Sequence, residues 1–197
     1  MKKHFAQFAE EIIKGFSLTK DSLVVDIGGN DGSLPINFKN KGIRTLNVEP
    51  SANIAEVSRK LGIETVNEYW NAETAAKVCK KYGKAKIITA TNVFAHVDDS
   101  HSFVKGVAAL LDDDGVFIIE APYLVDLLEK TEFDTIYHEH LSYFAIKPLT
   151  ILFQKYGMEI VDVKKLQVHG GSIRAFVKKI AAGTRPANSV SEFLALE

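Results

Sequence analysis

Apolar runs of strand length alternate along the chain with segments whose apolar residues recur at helical spacing. The runs predict strands at 22–28, 43–50, 63–67, 84–93, 116–122, 158–167 and 172–180. The helically spaced segments predict helices at 2–14, 33–42, 51–62, 71–83, 100–115, 123–130 and 147–156. Turn and cap residues mark several boundaries, such as Ser51 before the third helix and Gly62 after it.

Alternating strands and helices predict an α/β fold, with a mostly parallel sheet and helices on both of its faces. Five strand–helix units are followed by a final strand pair, so we expect seven strands. The connection between 167 and 172 is too short for a parallel crossover, which needs a dozen residues or more. The last strand is therefore predicted to be antiparallel.

Composition excludes several classes of protein. The 197 residues are 46% hydrophobic and 25% charged, which is typical of a globular domain. A net charge of -1 gives no electrostatic reason to expect a nucleic-acid partner. No apolar run approaches the roughly 20 residues that span a bilayer. The single cysteine, Cys79, excludes an internal disulfide and favours a reducing compartment, so we expect a cytoplasmic protein.

The stretch "VVDIGGNDG" is a strand followed by a glycine-rich turn, which is typical of a cofactor site. A dinucleotide fingerprint needs glycines at 28, 30 and 33, but Asn30 and Ser33 occupy the last two positions. The stretch fits D-x-G-x-x-x-G instead, through Asp26, Gly28 and Gly32. That form resembles motif I of the S-adenosylmethionine-dependent methyltransferases.

S-adenosylmethionine carries an amino group and a sulfonium, which a carboxylate such as Asp26 suits. Glu49 ends the second predicted strand, where an acidic residue can accept hydrogen bonds from both ribose hydroxyls. The alternative is a tight turn beside a surface acid. The cofactor contacts predicted here are Asp26, Gly28, Gly29, Asn30, Gly32, Glu49 and Pro50.

Two loops further along the chain follow strands three and four. In "NEYWN", Trp70 and Asn71 offer a stacking face and polar edges for an adenine, or the aromatic packs on the domain rim. In "TATNVFAHVDD", Asn92 and Phe94 are expected to line the cofactor and His96 to face the substrate. A lone loop histidine is also commonly structural, so both interpretations of His96 stay open.

The stretch "TIYHEHLSYF" concentrates groups that handle protons. His138 and His140 are two residues apart, whereas helical metal ligands prefer a spacing of four, and no third ligand is evident. We therefore predict no metal site. Histidine titrates near neutral pH, so an acid/base centre is one interpretation. A capping and packing segment is the other.

Taken together, the chain resembles the sugar C-methyltransferases, which act on nucleotide-linked deoxysugars. The resemblance rests on "HFAQFAEE", "VVDIGGNDGSL", "NVEPSANIA", "TNVFAHVDD", "GVFIIEAPY", "FDTIYHEHLSYF" and "VHGGSIRAF". These motifs span nearly the whole chain in the family's order. The resemblance implies a Rossmann-like class I methyltransferase fold with S-adenosylmethionine as the cofactor.

The resemblance also implies a reaction. The substrate would be a nucleoside-diphosphate 4-keto sugar, whose ketone acidifies the hydrogen on C3. We predict that His140 is the base and Glu139 its partner, while Tyr137 and His96 stabilise the enolate or hold the sugar. The roles of His140 and Tyr137 are interchangeable at this point. O- or N-methylation of another small molecule, or a non-catalytic cofactor-binding fragment, are the alternatives.

The resemblance also bears on the ends of the chain. The family usually opens with a cysteine-rich zinc module and continues into a second α/β domain, neither of which this sequence carries. We expect residues 1–181 to form the cofactor-binding domain with its N-terminal helix. Residues 182–197 would be a linker or the start of a further domain. The "HGGS" stretch at 169–172 is either a substrate contact or a glycine-permitted hairpin.

Overall fold

The computed structural model describes residues 2–168, 170–181 and 185–197. The strands in chain order are β1 (Leu23–Ile27), β2 (Arg44–Val48), β3 (Glu64–Val66), β4 (Ala85–Thr91), β5 (Leu111–Pro122), β6 (Met158–Leu166) and β7 (Ser172–Lys179). The helices are α1 (Lys2–Gly15), α2 (Pro35–Lys39), α3 (Ala52–Lys60), α4 (Ala72–Tyr82), α5 (Ser100–Leu110), α6 (Leu124–Lys130), α7 (Ile146–Gln154) and α8 (Asn188–Leu196). Short 3₁₀ turns, Phe94–His96 and Phe133–Thr135, follow β4 and α6.

The seven strands form one sheet in the order β3-β2-β1-β4-β5-β7-β6. The pairs from β3 to β5 are parallel, and β7 runs antiparallel to both β5 and β6. The predicted seven-stranded, mostly parallel sheet with an antiparallel last strand is confirmed. The order reverses between β1 and β4, and open α/β sheets bind ligands at such a switch point.

The hydrophobic core has two layers, one on each face of the sheet. Along β5, Phe117 and Ile119 face α4, α5 and α7, whereas Val116 and Ile118 face α1 and α2. This alternation follows from the two-residue period of a strand. Because both faces are covered, the central strands are apolar throughout, and any buried polar side chain on them needs a separate explanation.

The boundary between α5 and β5 differs from the prediction. The predicted helix at 100–115 ends at Leu110, and the strand begins at Leu111 rather than at 116. A register shift between Ala85 and Ile87 of β4 lets residues 112–115 bulge out of the sheet. A Cβ at Gly115 would lie 2.9 Å from the carbonyl oxygen of Ala85, so this bulge needs a glycine.

The last helix packs on the same core as the sheet. Val190 of α8 is buried, and Glu197 accepts hydrogen bonds from the backbone N–H groups of Ile146 (2.6 Å) and Lys147 (2.7 Å) at the start of α7. The buried Tyr123 hydroxyl also donates to Glu197, at 3.0 Å. Division of the chain at residue 181 stays a prediction. None of the helices described is both long and apolar enough to cross a bilayer.

The predicted β6–β7 hairpin is present. Of its "HGGS" stretch, His169 lies outside the described residues. Gly170 has a positive φ of 76°, and a Cβ at Gly171 would lie 2.0 Å from a carboxylate oxygen of Asp126. Both glycines therefore serve the hairpin, and a substrate contact there stays a prediction.

Candidate cofactor and active site

The glycine turn lies at the carboxyl end of β1, beside the switch point of the sheet. The Gly28 N–H donates to the carbonyl of Val48 at 2.7 Å, and its φ is +63°. A Cβ at Gly28 would lie 2.6 Å from the Val93 side chain, so only glycine fits without displacing that neighbour. The turn is thereby held between β2 and the loop after β4.

Gly32, the second glycine of the motif, lies on the far side of this turn. Its φ is +85°, and a Cβ there would lie 2.6 Å from Ile63 and 2.9 Å from the Ser58 hydroxyl. Gly32 therefore allows close packing against α3 and β3, and it does not line the cavity described below.

Asp26 is a buried carboxyl group with one free oxygen. The Thr89 hydroxyl donates to Oδ1 at 2.6 Å, whereas Oδ2 has no hydrogen-bond partner among the described residues. Burial raises the pKa of Asp26 from 3.8 to about 7, and the Glu120 and Glu49 carboxylates add to the rise against the Thr89 hydrogen bond. Asp26 therefore titrates near neutral pH in the absence of a ligand.

Asn47 of β2 is a second buried polar group beside the turn. Its amide nitrogen donates to the Asn30 carbonyl and to the Ser58 hydroxyl, both at 3.0 Å, which leaves Oδ1 without a partner among the described residues. A Cβ at Gly29 would lie 2.4 Å from this Oδ1 and 2.5 Å from Oδ2 of Asp26. Two unpaired acceptors thus converge beside Gly29.

Glu49 is oriented by the backbone around it. Its Oε2 accepts from the Asn30 N–H at 3.1 Å and its Oε1 from the Ser51 N–H at 2.8 Å. The Asn67 side chain donates to the carbonyls of Glu49 (2.8 Å) and Pro50 (2.7 Å), which fixes the chain after β2. Each carboxylate oxygen keeps lone pairs for a ligand hydroxyl.

A cavity of about 1290 Å³ opens at this edge of the sheet. It is large enough for a nucleoside with an amino-acid tail, since ligand pockets typically span 300–1,000 Å³. Its described lining contains no lysine or arginine and seven carboxylates, which belong to Asp26, Asp31, Glu49, Glu73, Asp98, Asp99 and Glu139. The cavity therefore favours a cationic ligand and disfavours a phosphorylated one.

Most of the predicted cofactor residues surround this cavity. Its lining includes Asp26, Gly28, Gly29, Asn30, Glu49, Pro50, Trp70, Asn71 and Asn92. Two of them also serve the fold. The Trp70 Nε1–H donates to the Phe103 carbonyl at 3.2 Å, and the Asn71 side chain caps the start of α4.

Phe94 does not line the cavity, contrary to the prediction. It is fully buried, with its ring stacked on Phe144 at 4.9 Å between centroids and 5.0 Å from Phe103. The 3₁₀ turn Phe94–His96 directs this side chain into the core and leaves His96 on the cavity wall. Phe94 therefore anchors the loop after β4 to the hydrophobic core.

His96 connects the cavity to the second predicted cluster. Its Nδ1 donates to the Glu139 carbonyl at 2.8 Å, and its ring lies 4.9 Å from the His140 ring. The Leu141 N–H donates to the Ala95 carbonyl at 2.8 Å, which fastens the loop to the same turn. His96 and Glu139 line the cavity, whereas His140 and Tyr137 do not.

The hydrogen bonds of His140 define its tautomer. Its Nδ1 lies 2.8 Å from the Thr135 carbonyl, which can only accept, so Nδ1 carries the proton. In the neutral ring Nε2 is then an acceptor, and the Tyr137 hydroxyl donates to it at 3.0 Å. The two side chains form a hydroxyl–imidazole pair in which a proton can pass from Tyr137 to His140.

The predicted pairing of Glu139 with His140 is not seen. The Glu139 side chain is mostly exposed, and its carboxylate lies 4.0 Å from His138, which is itself in solvent. The Thr135 carbonyl takes the place expected for the carboxylate. No group of three or more His, Cys, Asp or Glu side chains in the part of the chain described is arranged to hold a metal ion.

The sequence reasoning missed Asn47, Thr89 and Thr135. Asn47 carries a recognisable signal, because it is a polar residue inside the apolar strand "TLNV", two positions before Glu49. Thr89 interrupts the apolar run of β4 in the same way. Thr135 acts through its backbone carbonyl, and no side-chain pattern reveals that role.

A family model described as a methyltransferase domain matches residues 1–163. The chain belongs to this family. The methyltransferase domain is 38% identical over 195 residues to the C-methyltransferase NovU of Streptomyces niveus. That match covers 99% of the chain and 46% of NovU, so the chain spans about half the length of this curated relative.

Solved structures confirm the fold of the methyltransferase domain. An S-adenosylmethionine-dependent methyltransferase from Clostridium acetobutylicum is 15% identical with a TM-score of 0.69, over 92% of this chain and 93% of that one. The magnesium protoporphyrin IX methyltransferase of Synechocystis PCC 6803, solved with bound SAH, is 12% identical with a TM-score of 0.67, over 91% and 83%. The predicted Rossmann-like class I methyltransferase fold is correct.

Proposed function

We propose that the methyltransferase domain binds S-adenosylmethionine at the carboxyl edge of its sheet. We further propose that it serves in C-methylation of a nucleotide-linked 4-keto deoxysugar. The observation that carries the first proposal is the pair of buried, unpaired acceptors, Asp26 Oδ2 and Asn47 Oδ1, which converge beside Gly29, where Asp26 and Gly29 line the acidic cavity. Membership of the methyltransferase domain family supports it.

The residues present fit this cofactor. Unpaired buried acceptors are costly, so the site calls for a ligand with hydrogen-bond donors, such as an ammonium group. Glu49, fixed by two backbone N–H groups, suits a pair of ribose hydroxyls, and Trp70 and Asn71 lie on the wall expected to hold the adenine. When bound, the cofactor would supply an electrophilic methyl group on a sulfonium.

The proton chemistry falls to Tyr137, His140 and His96. Tyr137 Oη, or His140 Nε2 after displacement of the hydroxyl, would take the acidic proton from C3 of the keto sugar. The Thr135 carbonyl holds the imidazole and stabilises the positive charge that it gains. His96 lines the cavity with its Nδ1–H bonded to the Glu139 carbonyl, so its neutral Nε2 can only accept a hydrogen bond, and it would donate to the ketone oxygen only after gaining a proton. A protonated His96 would also stabilise negative charge on that oxygen.

Similarity to NovU supports carbon as the methylated atom. Methylation of oxygen or nitrogen is the second candidate, since the cofactor cavity alone does not define the acceptor. A nicotinamide cofactor is disfavoured because seven carboxylates and no lysine or arginine line the described cavity, so a pyrophosphate would be repelled.

Titration calorimetry of the purified chain separates these cofactors. We expect S-adenosylmethionine to bind with a Kd in the micromolar range and NAD to show no heat of binding at millimolar concentration. Binding of NAD, or no binding of S-adenosylmethionine, would contradict the proposed function.

Gly29→Ala tests the place of binding. The new methyl group would occupy the point on which Asp26 Oδ2 and Asn47 Oδ1 converge, at 2.5 and 2.4 Å. We expect S-adenosylmethionine affinity to fall by about a hundredfold or more, since loss of one charged hydrogen bond alone costs about 1.5–3 kcal/mol. Gly15→Ala, where a Cβ meets nothing within 4 Å, is the matched control and should bind normally.

Incubation of the chain with a nucleoside-diphosphate 4-keto deoxysugar in deuterated water tests the reaction class. In the absence of a methyl donor, abstraction at C3 followed by return of a solvent deuteron labels that carbon. We expect C3 deuteration, measured by mass spectrometry, to exceed the rate without protein. O-methylation of a sugar whose C3 hydrogen exchanges no faster than it does without protein would favour the second candidate.

A further inference from the structure

Helix α1 contributes one residue, Phe5, to the cavity lining and lies outside the motifs usually examined for a cofactor. Phe5 is half-buried and lines the cavity, although it is far in sequence from the glycine turn. The next turns of the helix bury Phe8, Ala9 and Ile12 against the sheet. The side chain of Phe5 is thus presented to the cavity by a helix that the core fixes along one face.

A buried charge network fastens the start of α1 to the sheet. His4 Nε2 lies 3.0 Å from Oε2 of Glu120, which is 1% exposed on β5. Arg174 of β7 donates to Oε1 of Glu120 at 2.5 Å and to Glu11 of α1 at 3.1 Å. The Arg174 guanidinium also lies 4.0 Å from the centre of the Phe8 ring.

The same residue, Glu120, also supports a second part of the cavity lining. The Glu120 carbonyl accepts from the Asn92 N–H at 2.9 Å, and Asn92 lines the cavity with a φ of +54°. Glu120 therefore holds α1 through its side chain and the loop after β4 through its backbone. A buried carboxylate kept in a sheet by an arginine and a histidine is expensive, so a role beyond packing is expected.

We propose that α1 is part of the cofactor site, with Phe5 in contact with the bound cofactor, and that Glu120 is a positioning residue that fixes the walls carrying Phe5 and Asn92. This inference rests on the proposed function, because the cofactor is S-adenosylmethionine. It adds Phe5 as a cofactor contact and Glu120 as the residue that supports it. Both belong to elements, α1 and β5, that lie outside the glycine turn and the loops after β2, β3 and β4.

Calorimetry with S-adenosylmethionine on Phe5→Ala, His4→Ala and His4→Gln tests this proposal. Phe5→Ala should raise the Kd about tenfold, as expected for loss of part of one aromatic contact. His4→Ala should raise it about threefold or more by releasing the helix start from Glu120. His4→Gln retains an N–H donor and should restore affinity to within about twofold of the wild type.

Two further measurements separate a site role from a loss of stability. Val163→Ala removes buried apolar volume in β6, outside the cavity lining, and should lower the melting temperature without changing the Kd. S-adenosylmethionine should slow tryptic cleavage after Lys14 of α1 in the wild type, and Phe5→Ala should remove that protection.

The outcomes are distinct. A wild type that binds S-adenosylmethionine, together with Phe5→Ala and His4→Ala variants of unchanged Kd, would overturn the α1 proposal alone. A wild type that binds none would overturn the proposed function and the α1 proposal with it. If Val163→Ala raised the Kd as much as Phe5→Ala does, general destabilisation would explain the weaker binding of both variants. That result would also overturn the α1 proposal.

Discussion

Replacement of His140 by alanine is expected to lower methyl transfer to the keto sugar by about 10²- to 10⁴-fold, the usual contribution of general acid–base catalysis. The Kd of S-adenosylmethionine should not change, because neither His140 nor Tyr137 lines the cavity. The physical reason is the pair formed by the Tyr137 hydroxyl and His140 Nε2 at 3.0 Å, in which the imidazole is the final proton acceptor. Deuterium exchange at C3 should fall by the same factor.

His138→Ala is the matched control for this experiment. His138 lies two residues away and is exposed to solvent, with its Nε2 4.0 Å from the Glu139 carboxylate, so its loss should leave the rate within about twofold. An His140→Ala variant with wild-type turnover would exclude the proposed base.

Tyr137→Phe separates the two roles that the sequence left interchangeable. If the phenol oxygen abstracts the proton and His140 receives it, the single variants and the double variant should all lose about the same factor, because the groups act as a unit. A Tyr137→Phe variant that keeps most of the rate would assign abstraction to His140 Nε2 directly. The comparison needs only single-turnover rates at saturating cofactor.

Replacement of Asp26 by asparagine is expected to weaken binding of S-adenosylmethionine by about tenfold or more at pH 8 and to remove most of its pH dependence. In the wild type, burial holds the pKa of Asp26 at about 7, so affinity for a cationic ligand should improve as pH rises through that value. Binding near pH 7 should release a proton, which calorimetry in buffers of different ionisation enthalpy detects.

The stability of the ligand-free protein should fall over the same pH range in which the affinity for the cofactor rises. Because the pKa of Asp26 is raised above 3.8, the folded state prefers the protonated form. Stability therefore falls as pH rises from about 4 to about 7, and the full cost, on the order of a few kcal/mol, applies above pH 7. Asp26→Asn removes this cost, so its melting temperature should exceed that of the wild type at pH 8.

Thr89→Val supplies an independent check. The Thr89 hydroxyl lowers the pKa of Asp26 through its hydrogen bond, so its removal should move the midpoint of the affinity–pH curve above that of the wild type. A wild-type curve that matches that of Asp26→Asn between pH 6 and 8 would show that Asp26 does not contact the cation.

The fold was largely readable from the sequence, because strand runs and helical spacing act locally and repeat along the chain. The α5–β5 boundary was not, because Leu111 pairs with Ala85 while residues 112–115 bulge out of the sheet before pairing resumes at Val116. That geometry depends on pairing with β4, a contact that local patterning does not contain. Gly115 was the one local sign of it.

Site residues could be predicted from the sequence where a motif determines the backbone conformation, as at Gly28 and Gly29. They were harder to predict where the conformation of a loop determines the direction of the side chain. Phe94 and His96 are two residues apart in a 3₁₀ turn, and the turn alone decides which of them meets the cavity. Likewise Glu139 and His140 are adjacent in sequence, yet the chain directs them to different partners. Adjacent residues in an irregular segment need not share a face, so their pairing is not predictable from spacing.

The distribution of carboxylates around the cavity bears on how an acceptor molecule would approach. A nucleoside-diphosphate sugar carries its negative charge at one end and its ketone at the other. The acidic rim, which includes Asp98 and Asp99, repels the first end, so the pyranose ring should enter first while the diphosphate trails into solvent. Raising the ionic strength should then lower the KM for the nucleotide sugar, the opposite of the usual effect of salt on phosphate recognition.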